Sequence, residues 1–183
     1  MLILIGGGVR SGKSAFALAL ARGLGARRVY VATAEARDEE MSGRIARHVR
    51  ERGSDYRTIE APLDVVEALS GIGDADVVVL DCLTLWLSNL LLREDSEEAI
   101  LAQVDRLIAT LAEKSFHAVL VTNVVGMGIV PEHPLGRAFR DVAGRAHQAL
   151  ARAADQVYFG LLGLMLRLRP APVAAVIPQG DGR

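Results

Sequence analysis

Apolar residues in this chain fall into short unbroken runs, separated by stretches with a helical period. Residues 2–5, 28–33, 77–81 and 118–122 concentrate aliphatic side chains, as strands buried on both faces of a parallel sheet do. Between them, 14–24 predicts a helix ended near Gly25. Residues 38–52 predict an amphipathic helix, with Met41, Ile45 and Val49 at four-residue spacing. Pro62 suits the first turn of another, and 83–92 reads as helical. The clearest helix is 96–115, where Ile100, Val104, Leu107, Ile108 and Leu111 form one stripe and Asp95 or Ser96 can cap it. Residues 135–154 predict the last helix, 57–60 a short strand, and 156–162 with 166–169 two closing strands. Alternation of strand and helix implies an α/β fold, a mostly parallel sheet with helices on both faces. The expected organisation is a single nucleotide-binding domain over 1–169 and a loose tail over 170–183, where Pro, Gly and Ala dominate.

Composition narrows the class of partner. With 183 residues, 51% of them hydrophobic, and a mean hydropathy of +0.27, one domain can hold a sizeable core or cover a subunit interface. A net charge of −1 and a pI near 6.4 argue against nucleic acid or an anionic membrane as partner. Cys82 is the sole cysteine, which precludes an intrachain disulfide and suits a reducing compartment. The opening Met-Leu-Ile-Leu-Ile is too short for a secretory core, and the late run 161–166 is far too short to span a bilayer. A cytoplasmic location is expected.

Chemistry concentrates where the predicted strands end. Gly7-Gly8-Val9-Arg10-Ser11-Gly12-Lys13-Ser14 matches the G-x-x-x-x-G-K-S pattern between a strand and a helix. Its glycines let backbone N–H groups turn around phosphate oxygens at the positive end of the following helix. Lys13 is expected to neutralise the β and γ phosphates and Ser14 to ligate magnesium. Of 21 basic residues only Lys13 and Lys114 are lysine; a compact ammonium is retained where a planar guanidinium would not fit. Asp81 ends an aliphatic run, as a carboxylate that holds magnesium opposite such a loop does, or as a simple strand-end residue. Thr122, Asn123 and the loop 126–132 follow another strand end, where substrate sites are built. Arg137, Arg140 and Arg145 can clamp anions or serve as surface and interface side chains. Spacing puts Asp38, Met41, Ile45 and His48 on one helix face; taken alone, it reads Asp38-Glu39-Glu40 as a solvated first turn and His48 as a histidine at the edge of the core.

Several of these stretches together resemble one family, the bifunctional adenosylcobinamide kinase / adenosylcobinamide-phosphate guanylyltransferases. The matching segments are residues 7–14, Tyr30-Val31-Ala32-Thr33, Asp38-Glu39-Glu40-Met41 with Arg44-Ile45 and His48, residues 81–91, Val121-Thr122-Asn123, residues 125–132, Phe139-Arg140-Asp141 and Gly144-Arg145. The resemblance implies a RecA-like P-loop NTPase fold, magnesium with ATP or GTP, and a homotrimer. It implies phosphorylation of adenosylcobinamide, then transfer of GMP from GTP onto adenosylcobinamide phosphate. Under it His48 is the guanylylated nucleophile, and Lys13 and Asp81 complete the catalytic set. Residues 7–14, Thr33 and Glu60 are the expected nucleotide contacts, and Ser14 and Asp81 the metal ligands. Three departures stand out: Val124 where the family has glutamate after Thr-Asn, His147 where asparagine is expected, and no proline near Met165. The glycine loop by itself also fits a kinase of another small metabolite, or a nucleotide-gated binding protein without turnover.

Overall fold

The computed structural model describes residues 1–93 and 95–176. Its strands are β1 (Leu2–Gly7), β2 (Arg28–Ala32), β3 (Arg57–Glu60), β4 (Val77–Asp81), β5 (His117–Val121), β6 (Gln156–Leu161), β7 (Leu164–Arg169) and β8 (Ala174–Val176). The helices are α1 (Lys13–Leu24), α2 (Glu39–Arg52), α3 (Val65–Ser70), α4 (Leu83–Leu92), α5 (Glu97–Ala112) and α6 (Pro134–Ala153). One eight-stranded sheet runs in the order β3-β2-β4-β5-β1-β6-β7-β8. Its first six strands are parallel; β7 and β8 extend it antiparallel.

Two cores form because side chains alternate across the pleat. Ile3, Ile5, Tyr30, Val77, Val79, Val119 and Val121 face α1, whose Phe16, Ala17, Leu18 and Ala21 are buried against them. Leu4, Val29, Val31, Val78, Leu80, Ala118 and Leu120 face the other way, into the larger core under α3, α4, α5 and α6. Trp86 lies fully buried there, and its indole N–H donates to the Leu63 carbonyl at 2.8 Å, so its polar edge is satisfied. The expected layering therefore holds. No helix among the described residues is long and apolar enough to cross a membrane.

Two expectations change. The helix expected from Pro62 begins only at Val65, because α4 captures the preceding carbonyls: Asn89 Nδ2 donates to Pro62 O at 3.0 Å and Trp86 Nε1 to Leu63 O. The expected loose tail is partly a strand, since residues 174–176 pair with β7. A bare edge on β7 presents unpaired N–H and C=O groups that another strand can satisfy. The rest of that tail, 177–183, lies outside the described residues.

Candidate functional site

β1 turns into α1 through the glycine loop. Arg10 and Gly12 adopt left-handed backbone angles, φ 56° and φ 87°. Gly7 has no room for a side chain, because a Cβ there would sit 2.7 Å from the Gly160 carbonyl oxygen of β6 and 2.7 Å from Ser11 Oγ. The loop is therefore pressed against the β6–β7 hairpin, whose Met165 methyl lies 3.8 Å from the Cβ position of Gly12. Within the loop Gly8, Val9 and Arg10 are exposed, while Ser11 turns inward with its hydroxyl buried and unpartnered. Lys13, at 8% exposure, donates from Nζ to Gly8 O across the loop at 3.0 Å. Its pKa lies below the ordinary lysine value: burial pushes it down, Asp81 and Cys82 pull it up, and the charge of Arg44 pushes it down again. An ammonium so placed gains from an anion held over the loop. Ser14, at the start of α1, is half-buried beside it.

Asp81 closes β4, two strands from β1 and in register with Val121 and, through it, Ile5. The Tyr30 hydroxyl donates to Asp81 Oδ2 at 3.1 Å. Burial first, and then the neighbouring Asp81, raise the Tyr30 pKa far above its ordinary value, so the phenol is a permanent donor and the carboxylate its acceptor. The Asp81–Cys82 peptide bond is cis. Cys82 is gripped from behind by Thr33, which donates to Cys82 O at 2.8 Å and accepts from Cys82 N at 2.9 Å. Thr33 is fully buried, so the structure puts this expected nucleotide contact behind the site, as a support of the β4 end. The Cys82 thiol, also buried, has its pKa pushed up to about 11, by burial first and then by Asp81.

The end of β5 is tied down by hydroxyls. Thr84 accepts from Asn123 N at 2.7 Å and lies 3.1 Å from Thr122 Oγ1, which in turn lies 2.7 Å from His147 Nε2. Burial lowers the His147 pKa, which favours the neutral ring; His147 thus fills the place of the expected asparagine as a polar partner for Thr122. Val124 donates its backbone N–H to Gly7 O at 3.0 Å, and its side chain packs 3.4 Å from the Cβ position of Gly6. An apolar contact with the base of the glycine loop stands where the family glutamate was expected.

α2 carries His48. Asp38 caps the helix, accepting from Met41 N at 2.7 Å, so it stands one residue before the acidic first turn of Glu39 and Glu40 in which it was expected. Met41, Ile45 and His48 are half-buried on one face. Arg44, one turn before His48, is exposed, and its charge contributes to lowering the Lys13 pKa. Glu60 is not brought to the glycine loop: it ends β3, the outermost strand, four inter-strand spacings or about 19 Å from β1.

Among the three arginines of α6, Arg137 donates to Pro131 O and Glu132 O and holds the preceding loop, Arg140 approaches Asp141, and Arg145 pairs with Glu97 of α5. Residues the sequence reading missed are those acting across the sheet. Asn89 donates to Thr33 O and Pro62 O, and Arg52 stacks on Tyr30. Nothing local to these positions signals it; the signal is the β2–β4 pairing.

The fold resembles solved RecA-like P-loop NTPases. A RadB recombinase structure covers 95% of this chain and 85% of its own at TM-score 0.57 and 17% identity. The flagellar accessory protein FlaH of Methanocaldococcus jannaschii covers 96% and 89% at TM-score 0.54 and 15% identity. Closer relatives emerge at the sequence level. The bifunctional adenosylcobalamin biosynthesis protein CobP of Pseudomonas aeruginosa is 41% identical over 171 residues, covering 93% of this chain and 98% of that protein. The protein CobU of Escherichia coli K12, with the same description, is 40% identical over 182 residues, covering 92% and 100%. Residues 3–168 match the family model described as cobinamide kinase / cobinamide phosphate guanyltransferase. With that model spanning residues 3–168 and both relatives about 40% identical over nearly their whole length, the chain belongs to the cobinamide kinase / cobinamide phosphate guanyltransferase family.

Proposed function

We infer that this protein phosphorylates adenosylcobinamide with ATP or GTP, then transfers GMP from GTP onto adenosylcobinamide phosphate, as a cytoplasmic homotrimer. The observation that carries this reading is that the glycine loop with Lys13 and the Asp81 carboxylate share the carboxyl edge of the sheet, with α2, which carries His48, following the neighbouring strand β2. A kinase needs the first two. The third adds a nucleophile.

In the first transfer the substrate hydroxyl oxygen bonds to the γ-phosphorus, the bond to the nucleoside diphosphate breaks, and the hydroxyl proton is lost. Loop N–H groups and Lys13 hold the phosphates in line and take up developing charge. Ser14 and Asp81 offer only oxygen donors, the set that a magnesium ion accepts, and Asp81 is pre-aimed by Tyr30. Bound with the nucleotide, magnesium supplies charge neutralisation at the phosphates.

In the second transfer an unprotonated imidazole nitrogen of His48 bonds to the α-phosphorus of GTP and pyrophosphate leaves, held by the same loop. The acceptor's phosphate oxygen then attacks that phosphorus, the P–N bond breaks, and His48 is restored with adenosylcobinamide-GDP as product. Dividing the transfer in this way replaces one difficult step by two easier ones. Thr33 supports the Asp81 turn, while Glu60, on the outermost strand, takes no part in either transfer.

Incubation with GTP labelled at the α-phosphate, magnesium and no acceptor tests the reading. Acid-labile label is expected on the protein, and none on His48→Ala, which should keep phosphoryl transfer to adenosylcobinamide. Label on the variant would move the nucleophile elsewhere, with His133 and His147 the next histidines to replace.

A further inference from the structure

Tyr30 lies on β2 opposite Val79, and Asp81 lies two residues beyond Val79 on β4, so the two side chains share a face of the sheet. The phenol spans the diagonal and donates to Asp81 Oδ2 at 3.1 Å. The ring is held on two sides. Tyr56 meets it edge-on at 6.2 Å and 83° and donates its own hydroxyl to Leu18 O of α1 at 3.0 Å. The Arg52 guanidinium carbon stands 4.3 Å from the ring centroid.

Arg52 is the last residue of α2, one turn after His48. Among the described residues of that helix it is the only buried one, at 7% exposure; the others are half-buried or exposed. The stacking of Arg52 on Tyr30 thus holds the C-terminal end of α2 from inside the protein. One side chain therefore touches both the carboxylate at the phosphate site and the anchor of the His48 helix.

We propose that Tyr30 is a positioning residue shared by both transfers: its hydroxyl aims Asp81, and its ring seats Arg52 and so places His48 against the nucleotide. The proposal rests on the site assignment above. Partners one shell out from a metal-holding carboxylate set its orientation, and their loss weakens metal affinity about tenfold or more. A desolvated cation over an aromatic ring is worth about a tenfold shift in an equilibrium, so its loss should release the end of α2 that carries His48.

Magnesium titrations in the presence of a non-hydrolysable GTP analogue, followed by calorimetry on the full chain, separate the two roles. Tyr30→Phe keeps the ring and removes the hydroxyl. It should raise the magnesium concentration for half-saturation about tenfold, with analogue affinity at saturating magnesium unchanged. Arg52→Met keeps length and removes the charge. It should leave that titration where it is in the unmodified protein but slow formation of the protein–GMP adduct about tenfold. A purely structural role would instead lower the active fraction of both variants without moving the magnesium midpoint. Coincident titrations for Tyr30→Phe and the unmodified protein, or wild-type adduct rates in Arg52→Met, overturn the proposal. Unmodified protein that binds no magnesium–nucleotide and forms no adduct removes the underlying site assignment instead, and this proposal with it.

Discussion

Lys13 is buried to 8% exposure with its ammonium on a loop carbonyl, a position that only a short, compact cation can occupy. Removing it should weaken ATP and GTP binding equally, because it meets phosphate and not base. Losing one partner of a desolvated charge pair costs about 2–3 kcal/mol. Lys13→Ala should therefore raise both dissociation constants roughly a hundredfold and abolish phosphoryl transfer; unequal losses measured by calorimetry would argue against a purely phosphate contact. This residue was legible because its whole chemical setting is contiguous, eight residues between a strand and a helix. Thr33 was not. A threonine at a strand end looks the same whether its hydroxyl faces a ligand or, as here, the backbone of Cys82, 49 residues away. Tyr30 was hidden for the same reason, since its partner lies 51 residues on.

Elements were read well where burial sets them and less well where other elements compete for their backbone. The aliphatic strands and the α5 stripe follow from period alone. The shortened α3 does not, because the groups that capture the Pro62 and Leu63 carbonyls belong to α4. At the opposite end of the sheet a second such device joins β2 to β4. Asp76 accepts from Ala26 N, Arg27 N and Arg27 Nε, and is further paired with the Arg27 guanidinium. Only a glycine at position 25 permits the approach, as a Cβ there would fall 2.2 Å from that of Asp76. The Arg27 side chain first, and then the Arg27 and Ala26 N–H groups, hold the Asp76 carboxyl well below the usual carboxylate range. A carboxyl depressed in the folded state contributes stability that is present above its unfolded pKa of about 3.9 and lost as pH falls below it. Thermal unfolding across pH 2 to 7 should therefore show Asp76→Asn with a lower Tm at neutral pH, the gap narrowing as acid is added. A gap that stays constant over that range would mean that the charge of Asp76 contributes nothing.

At the scale of the whole molecule, the alternation of strand and helix was enough to anticipate a mostly parallel sheet covered on both faces. It was not enough to anticipate β8, since a Pro- and Ala-rich stretch carries no strand signal and pairs only because β7 leaves an edge open. The β6–β7 hairpin is also where apolar surface is left uncovered: Leu162 is 90% exposed, Leu164 55% and Leu161 51%. Leu162 and Gly163 turn the chain with positive φ, 55° and 82°, as a two-residue hairpin requires. Single exposed leucines are ordinary, but a cluster of them on a rigid turn suits a subunit contact. Sedimentation at micromolar concentration should give three times the 19.6 kDa of the chain, and Leu162→Asp should shift it toward the monomer without loss of fold. A fully active monomer in the unmodified protein would count against the trimer.

The place of β1 in the sheet has a further consequence, for the order in which the protein is made. β1 precedes both of its partners along the chain, pairing on one side with residues 118–121 and on the other with residues 156–160. Contacts this distant along the chain close slowly, and only after both partners exist. On the ribosome, residues 2–7 therefore stay aliphatic and unpaired until residues 118–121 emerge, and open on one side until residues 156–160 follow. The glycine loop that follows them is translated well before the β6–β7 hairpin it is pressed against. A nascent chain thus lacks part of the support of its glycine loop until β6 has left the ribosome.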